Sequence, residues 1–200
     1  MTKVVDFIFD FASPNAYFVH QAIPEIQSKS GAHFNYIPCL LGGIFRATGN
    51  QAPMITYANV RGKVAYELLE SKRFMARHNI TRFKMNPHFP VNTLLVMRGA
   101  IVADLDGRLP SYIEAVMHHM WEEPKNMSDP ETAATVLLES GFDGHALLER
   151  TQDAAVKAKL IANTNAAVER GAFGVPTFYV GEEMFFGKER LGQLAELLAT

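Results

Sequence analysis

The chain has 200 residues, of which 48% are hydrophobic, enough for one substantial core or a small domain carrying an insertion. A formal net charge of -2 and a pI near 6.4, with the 19 basic residues scattered, argue against a nucleic-acid partner. Asp6 and Asp10 interrupt any apolar stretch of a signal peptide and no apolar run approaches bilayer length, so a cytoplasmic protein without membrane contact is expected.

The run Val4-Val5-Asp6-Phe7-Ile8-Phe9-Asp10 alternates β-branched and aromatic residues with acids, which predicts a strand. Ser13 then reads as a helix cap and Pro14 as the first helical residue, where its missing N–H costs nothing. A Ser-Pro step alone is most often a plain cap, but it also puts a hydroxyl at the positive end of a helix, where anions are favoured. Tyr17, Phe18, Ala22, Ile23 and Ile26 continue at helical spacing to about Ser28, with Pro24 expected to bend or shorten the helix. Ser30-Gly31 supplies a stop, and 33–38 reads as a second strand parallel to the first. The single cysteine, Cys39, allows no internal disulfide and sits in an apolar setting that suits an inert thiol.

From Leu41 to about Arg170 the pattern is almost wholly helical. Val64, Leu68, Leu69 and Phe74 follow helical steps, and Leu94 to Leu105 form a second apolar helix. A third opens near Ser111 and runs through Tyr112, Ile113, Val116 and Trp121. Asp129-Pro130 heads a fourth, carrying Ala133, Val136, Leu137 and Leu138, and Asp143 or Gly144 heads a short fifth. The last runs from about Gln152 to Arg170, with Val156, Leu160, Ile161, Ala167 and Val168 inward and Gly171 at its end. Two strands, 177–180 and 184–186, then form a hairpin around Gly181-Glu182-Glu183, and a closing helix carries Leu191, Leu194, Leu197 and Leu198.

Adjacent His118 and His119 point to different helix faces and have no spaced third ligand, so no metal is expected. Met54, Met75, Met85 and Met97 read first as core fillers. Phe173-Gly174-Val175-Pro176-Thr177-Phe178 sets a Val-Pro pair just before a strand. Together with the Ser13-Pro14 loop it matches the two halves of a thioredoxin-type active site, with serine where redox members carry cysteine. The expected architecture is α/β: a thioredoxin-like fold with a large all-helical insertion. Residues 1–40 and 171–200 form the thioredoxin-like domain, joined by part of the helix at 152–170, and 41–170 form the insertion.

Further motifs in order carry a family resemblance: Phe9-Asp10-Phe11-Ala12-Ser13-Pro14 with Tyr17, Gly49-Asn50-Gln51-Ala52-Pro53, Lys63 with Tyr66, Phe89-Pro90-Val91-Asn92-Thr93, the Gly171–Phe178 segment, and Met184-Phe185-Phe186-Gly187-Lys188-Glu189-Arg190-Leu191. Over nearly its whole length the sequence resembles the 2-hydroxychromene-2-carboxylate isomerases and class kappa glutathione transferases, within the wider thioredoxin-like group of disulfide oxidoreductases. The resemblance implies glutathione as cofactor, with the Ser13 hydroxyl donating to its sulfur and Pro176 cis, so that the Val175 backbone pairs with the cysteinyl unit. It places Lys188 and Glu189 at the γ-glutamyl end, where Glu189 stands for a shorter acid, and Asn50 and Lys63 near the glycyl end and the substrate.

A free thiol titrates near about 8.5, so a hydroxyl donor and a helix N-terminus both increase the thiolate available at neutral pH. Serine forms no mixed disulfide, so the thiol is activated without redox exchange. The implied activity is isomerisation of a small aromatic substrate by a homodimer, within aromatic compound catabolism. The alternatives are a kappa-type transferase or peroxidase and a non-enzymatic glutathione-binding module.

Overall fold

A computed structural model describes residues 2–199. Strand β1 (Val4–Phe9), helix α1 (Pro14–Ser30) and strand β2 (His33–Pro38) form the expected β-α-β unit, with β1 and β2 parallel from Val4 opposite His33 to Phe9 opposite Pro38. Helices α2 (Leu41–Thr48), α3 (Pro53–Thr56), α4 (Lys63–Arg77), α5 (Leu94–Leu105), α6 (Leu109–Trp121), α7 (Pro130–Glu139), α8 (Gly144–Arg150) and α9 (Ala154–Glu169) follow. Strands β3 (Thr177–Val180) and β4 (Glu183–Phe186), a 3-10 turn at Lys188–Arg190, and α10 (Leu191–Ala199) close the chain. The sheet order is β2-β1-β3-β4, with β3 antiparallel to both its neighbours. This is a mixed α/β thioredoxin-like core with a large helical insertion.

The period-two alternation of β1 sorts its side chains between two cores. Val5, Phe7 and Phe9 face the larger one, and Ile8 faces Cys39, Ile44, Ala167 and Tyr179 on the α2/α9 side. Phe7 stacks on Phe178 at 5.2 Å between centroids and meets Tyr36 edge-on at 4.9 Å. Each buried ring of this kind contributes about 1.5–3 kcal/mol through burial. The larger core runs on without a break into Val96, Met97, Tyr112, Met117 and Trp121, so α5 and α6 share one core with the sheet and α1. Helix α9 is tied to the end of β2: the Asn163 amide donates to Pro38 O at 3.1 Å, and Leu40 N–H donates to the Thr164 hydroxyl at 3.0 Å.

Several expectations need correction. Helix α1 passes through Pro24, which lies exposed, and reaches Ser30. Gly31 ends it in the left-handed region, at φ 67°. The near-continuous helical reading fails between His78 and Thr93, which is irregular and holds a cis Phe89–Pro90 bond. Buried Asn86 shapes that segment, its amide donating to Met120 O at 3.1 Å and Lys125 O at 3.0 Å. Ile161 and Leu138 are exposed, and of the four methionines Met97 alone is fully buried, while Met54 and Met85 face solvent. Among the described residues no helix is long and apolar enough to cross a membrane.

Candidate active site

The chain leaves β1 at Phe9 and enters α1 through Ser13, whose extended backbone (φ -95°, ψ 114°) makes it the cap. Ser13 Oγ accepts the Ala16 N–H at 3.2 Å and donates to Val175 O at 3.4 Å. The Val175–Pro176 bond is cis, as the resemblance implies. Beyond it, Pro176 O accepts the Gly187 N–H at 2.9 Å, which puts Lys188 and Glu189 immediately beside the proline. Gly187 has φ 88° and ψ 159°, a conformation open to glycine, and a Cβ there would meet the Glu189 carboxylate at 2.7 Å. On the other side the Asn50 amide donates to Phe173 O at 2.7 Å, fastening the end of α2 to the same loop.

The segment 173–176 thus gathers Ser13, Asn50, Val175, Pro176, Lys188 and Glu189 around itself. Lys63 stands apart from that set. Its ammonium pairs with Glu67 at 2.5 Å and lies 5.2 Å from the centroid of the Tyr57 ring, contacts within its own stretch of chain. Lys188 is 3% exposed, and its Nζ is bonded to the Glu189 carboxylate. Lys188 and Glu189 also line a cavity of about 520 Å³ between α1, α4 and α10, together with Glu70, Arg73 and Phe74. A second cavity of about 590 Å³ lies along the free edge of β2. Neither is lined by Ser13.

Ser13 is 6% exposed, and its 3.4 Å bond to Val175 is long for a hydroxyl donor. A stronger acceptor at the head of α1, such as an anionic sulfur, would displace it. Cys39 offers no competing chemistry: burial, helped by the Asp10 carboxylate, pushes its thiol up to about 12. Among the described residues no cluster of His, Cys, Asp and Glu could hold a metal ion.

Support beneath the site comes from residues outside the expected site. Trp121 Nε1–H donates to Phe11 O at 3.0 Å, so α6 braces the serine loop. The Tyr17 hydroxyl donates to Glu122 at 2.9 Å, and the same buried carboxylate meets His118 at 2.9 Å and Arg82 at 3.1 Å. Burial first, then Glu122, raise the Tyr17 phenol and keep it a donor. The His118/Glu122 spacing of four was the one sequence signal for this cluster.

The sequence profile of the DSBA-like thioredoxin domain matches residues 4–199. The chain is 27% identical over 193 residues to the 2-hydroxychromene-2-carboxylate isomerase of Pseudomonas putida, an alignment covering 96% of this chain and 92% of that one. It is 25% identical over 211 residues to glutathione S-transferase kappa 1 of Rattus norvegicus, covering 98% and 91%. A solved structure of 2-hydroxychromene-2-carboxylate isomerase superposes with a TM-score of 0.82 at 25% identity, covering 98% of this chain and 94% of that one.

Proposed function

Because the chain belongs to the DSBA-like thioredoxin domain family and carries a serine at the head of α1, we propose that it is a glutathione-dependent isomerase of the 2-hydroxychromene-2-carboxylate isomerase type, acting on a small aromatic conjugated 2-oxo acid. The observation that carries this reading is the Ser13 hydroxyl poised between the first turn of α1 and the Val175 carbonyl, beside a cis proline. When bound, glutathione would supply the nucleophilic thiolate for a reversible addition and elimination, the C–S bond that forms breaking again so that the double bond and the thiol are both returned.

The residues present fit that cofactor. Ser13 turns its hydroxyl from Val175 to the sulfur, and the free N–H groups of the first turn favour the charge there. The Val175 backbone pairs with the cysteinyl unit as an added strand would. Glu189 and Lys188 offer opposite charges to the ammonium and carboxylate of the γ-glutamyl end. Asn50 serves the glycyl end, and Lys63 joins it by releasing Glu67. The exposed Met54 and Met85 offer soft apolar surface to an aromatic ring. With no second cysteine available and Ser13 at the helix head, the site activates a thiol without exchanging disulfides.

A kappa-type transferase or peroxidase is the second reading, favoured by the likeness to the rat kappa enzyme along 98% of this chain. We further take the protein to be cytoplasmic and homodimeric, without a nucleic-acid partner. Its thioredoxin-like unit is 1–40 with 171–200 and the bonded part of α9, and the rest of 41–170 is the insertion.

The test follows 2-hydroxychromene-2-carboxylate optically with purified protein, with and without glutathione, while total reduced glutathione is measured. Interconversion that needs glutathione and leaves its total unchanged is expected, and Ser13→Ala should lower kcat by about tenfold to a hundredfold. A stable adduct or oxidised glutathione would select the transferase or peroxidase. Binding with no turnover of either kind would leave a binding module, and unchanged turnover in Ser13→Ala would remove Ser13 from the chemistry.

A further inference from the structure

Three helix N-termini meet on one buried carboxylate just ahead of Ser13. Asp10, 1% exposed, follows β1. Its Oδ1 accepts the Ala12 N–H at 2.9 Å and the Thr93 hydroxyl at 2.6 Å, and its Oδ2 accepts the Leu41 N–H at 2.7 Å. Its main-chain carbonyl accepts the Ser13 N–H at 3.1 Å. Ala12 and Ser13 lead directly into α1. Leu41 opens α2, whose cap residue Leu40 has no side-chain acceptor to give, so the Asp10 carboxylate takes that place from a distance. Thr93 is the cap residue of α5 yet makes no capping bond with its own helix, its hydroxyl being committed to Asp10. Neither Leu40 nor Thr93 caps its own helix with its side chain, Asn92 Oδ1 accepting the Leu94 N–H at 3.0 Å in place of Thr93, and one remote acid ties both helix starts to the serine loop.

Ser13 needs such a hold. Its own side-chain contacts are long, at 3.2 and 3.4 Å, and the residue that follows it is a proline without an N–H. Leu41 and Thr93 stand at the starts of two helices of the insertion, so the Asp10 carboxylate locks the serine loop to both of them.

We propose that Asp10 is a positioning residue: by gathering the N-termini of α1, α2 and α5 it fixes the direction of the Ser13 hydroxyl toward the sulfur of the bound thiol. The aim at sulfur rests on the glutathione reading above, and the fixing of the loop rests on the hydrogen bonds alone. Burial pushes the Asp10 carboxyl above its usual range while the three donors pull it back, and the Cys39 thiol is the titratable group facing it. The charge and the positioning have opposite consequences. A negative Asp10 competes with a thiolate for the same positive helix ends, so loss of charge alone would increase the bound thiolate. Loss of positioning would decrease it.

Asp10→Asn and Thr93→Val separate these effects, because the first removes the charge while the second keeps it and removes one donor. Amide hydrogen exchange is measured at Ala12, Ser13 and Leu41 without any thiol present, then the ultraviolet thiolate absorbance of bound glutathione, then kcat and KM. Both variants should exchange faster at those amides by about tenfold or more, since each loses part of what closes the loop. The thiolate fraction at neutral pH should fall, and kcat should drop by about tenfold to a hundredfold with a smaller change in KM for glutathione. Thr93→Ser should restore all three. Unchanged exchange in Thr93→Val, or a thiolate fraction that holds or rises in both variants with kcat retained, overturns the proposal. Should the parent protein give no thiolate absorbance with glutathione, the glutathione reading fails by itself and the exchange data still decide the role of Asp10. If Asp10→Asn does not fold, Thr93→Val carries the same test.

Discussion

His119 sits on α6 with 8% of its surface exposed, and its Nδ1 has no hydrogen-bond partner among the described residues. Burial first, and the neighbouring His118 next, hold its imidazole below the ordinary value of about 6.5. His78 shifts the same way, again chiefly through burial. The folded protein therefore refuses protons that the unfolded chain accepts. Stability is kept above about pH 6.5 and declines as the pH falls through that value toward the depressed folded one. Asp10, shifted upward, acts in the opposite sense, so the comparison is made between His119→Gln and its parent at each pH. The melting temperature of the parent should drop more steeply than that of His119→Gln between about pH 7.5 and 5.5. Equal slopes would show that His119 does not carry the effect. Legibility at this scale followed locality. The Ser13 cap could be read because a strand, a serine and a proline in a row form a complete local signal for a helix start. The networks around Asp10 and Glu122 could not, because beyond near neighbours such as Ala12 and His118 each is completed by a donor 83 or 105 positions away, Thr93 or Tyr17.

Helix contacts put opposite signs on one and the same substitution. Gly144 opens α8 where it crosses α7, and a Cβ there would stand 2.1 Å from the Ala134 carbonyl oxygen, a backbone atom with little room to retreat. Gly192 lies exposed near the start of α10 with nothing within 4 Å of such a Cβ. Gly144→Ala should therefore destabilise by about 1–3 kcal/mol, the usual cost of overpacking. Gly192→Ala should stabilise by about 0.5–1 kcal/mol by restricting the unfolded chain and favouring helix. Urea denaturation of the two variants checks both signs, and a stabilised Gly144→Ala would mean that α7 and α8 can move apart. Elements whose apolar residues repeat and whose ends carry their own punctuation were readable: α5 runs from Leu94 to Leu105 as its pattern predicts, and Asp129 caps α7 through the Thr132 N–H at 2.8 Å. The irregular 78–93 stretch was not. It is organised by the Asn86 amide reaching carbonyls on α6 and beyond, and periodicity carries no record of such a bond.

At the scale of the whole molecule, the apolar surface left open is concentrated in α3, α4 and the turn between them. Ile55, Val60, Leu68 and Leu69 are exposed there, and α4 buries none of its residues. These exposed positions lack a partner within the chain, and the homodimer proposed above would supply one of the right kind, a second copy of the same face. The protein should then sediment at twice its 22.2 kDa. Leu68→Glu with Leu69→Glu should yield monomers of unchanged helix content, since neither side chain contributes to the monomer core. A leucine buried at an interface contributes about 1.5–3 kcal/mol, so each loss weakens association by about tenfold or more. A parent that sediments as a monomer would end the dimer reading, and a variant that stays dimeric would place the interface on another face. The same helix begins with Lys63, the one proposed cofactor residue that the monomer leaves outside the 173–176 cluster. If pairing of two copies fixes α4, monomers should show a raised KM for glutathione while the thiolate formed at Ser13 once glutathione is bound stays the same, because Ser13 is held by Asp10 and Val175 within its own chain.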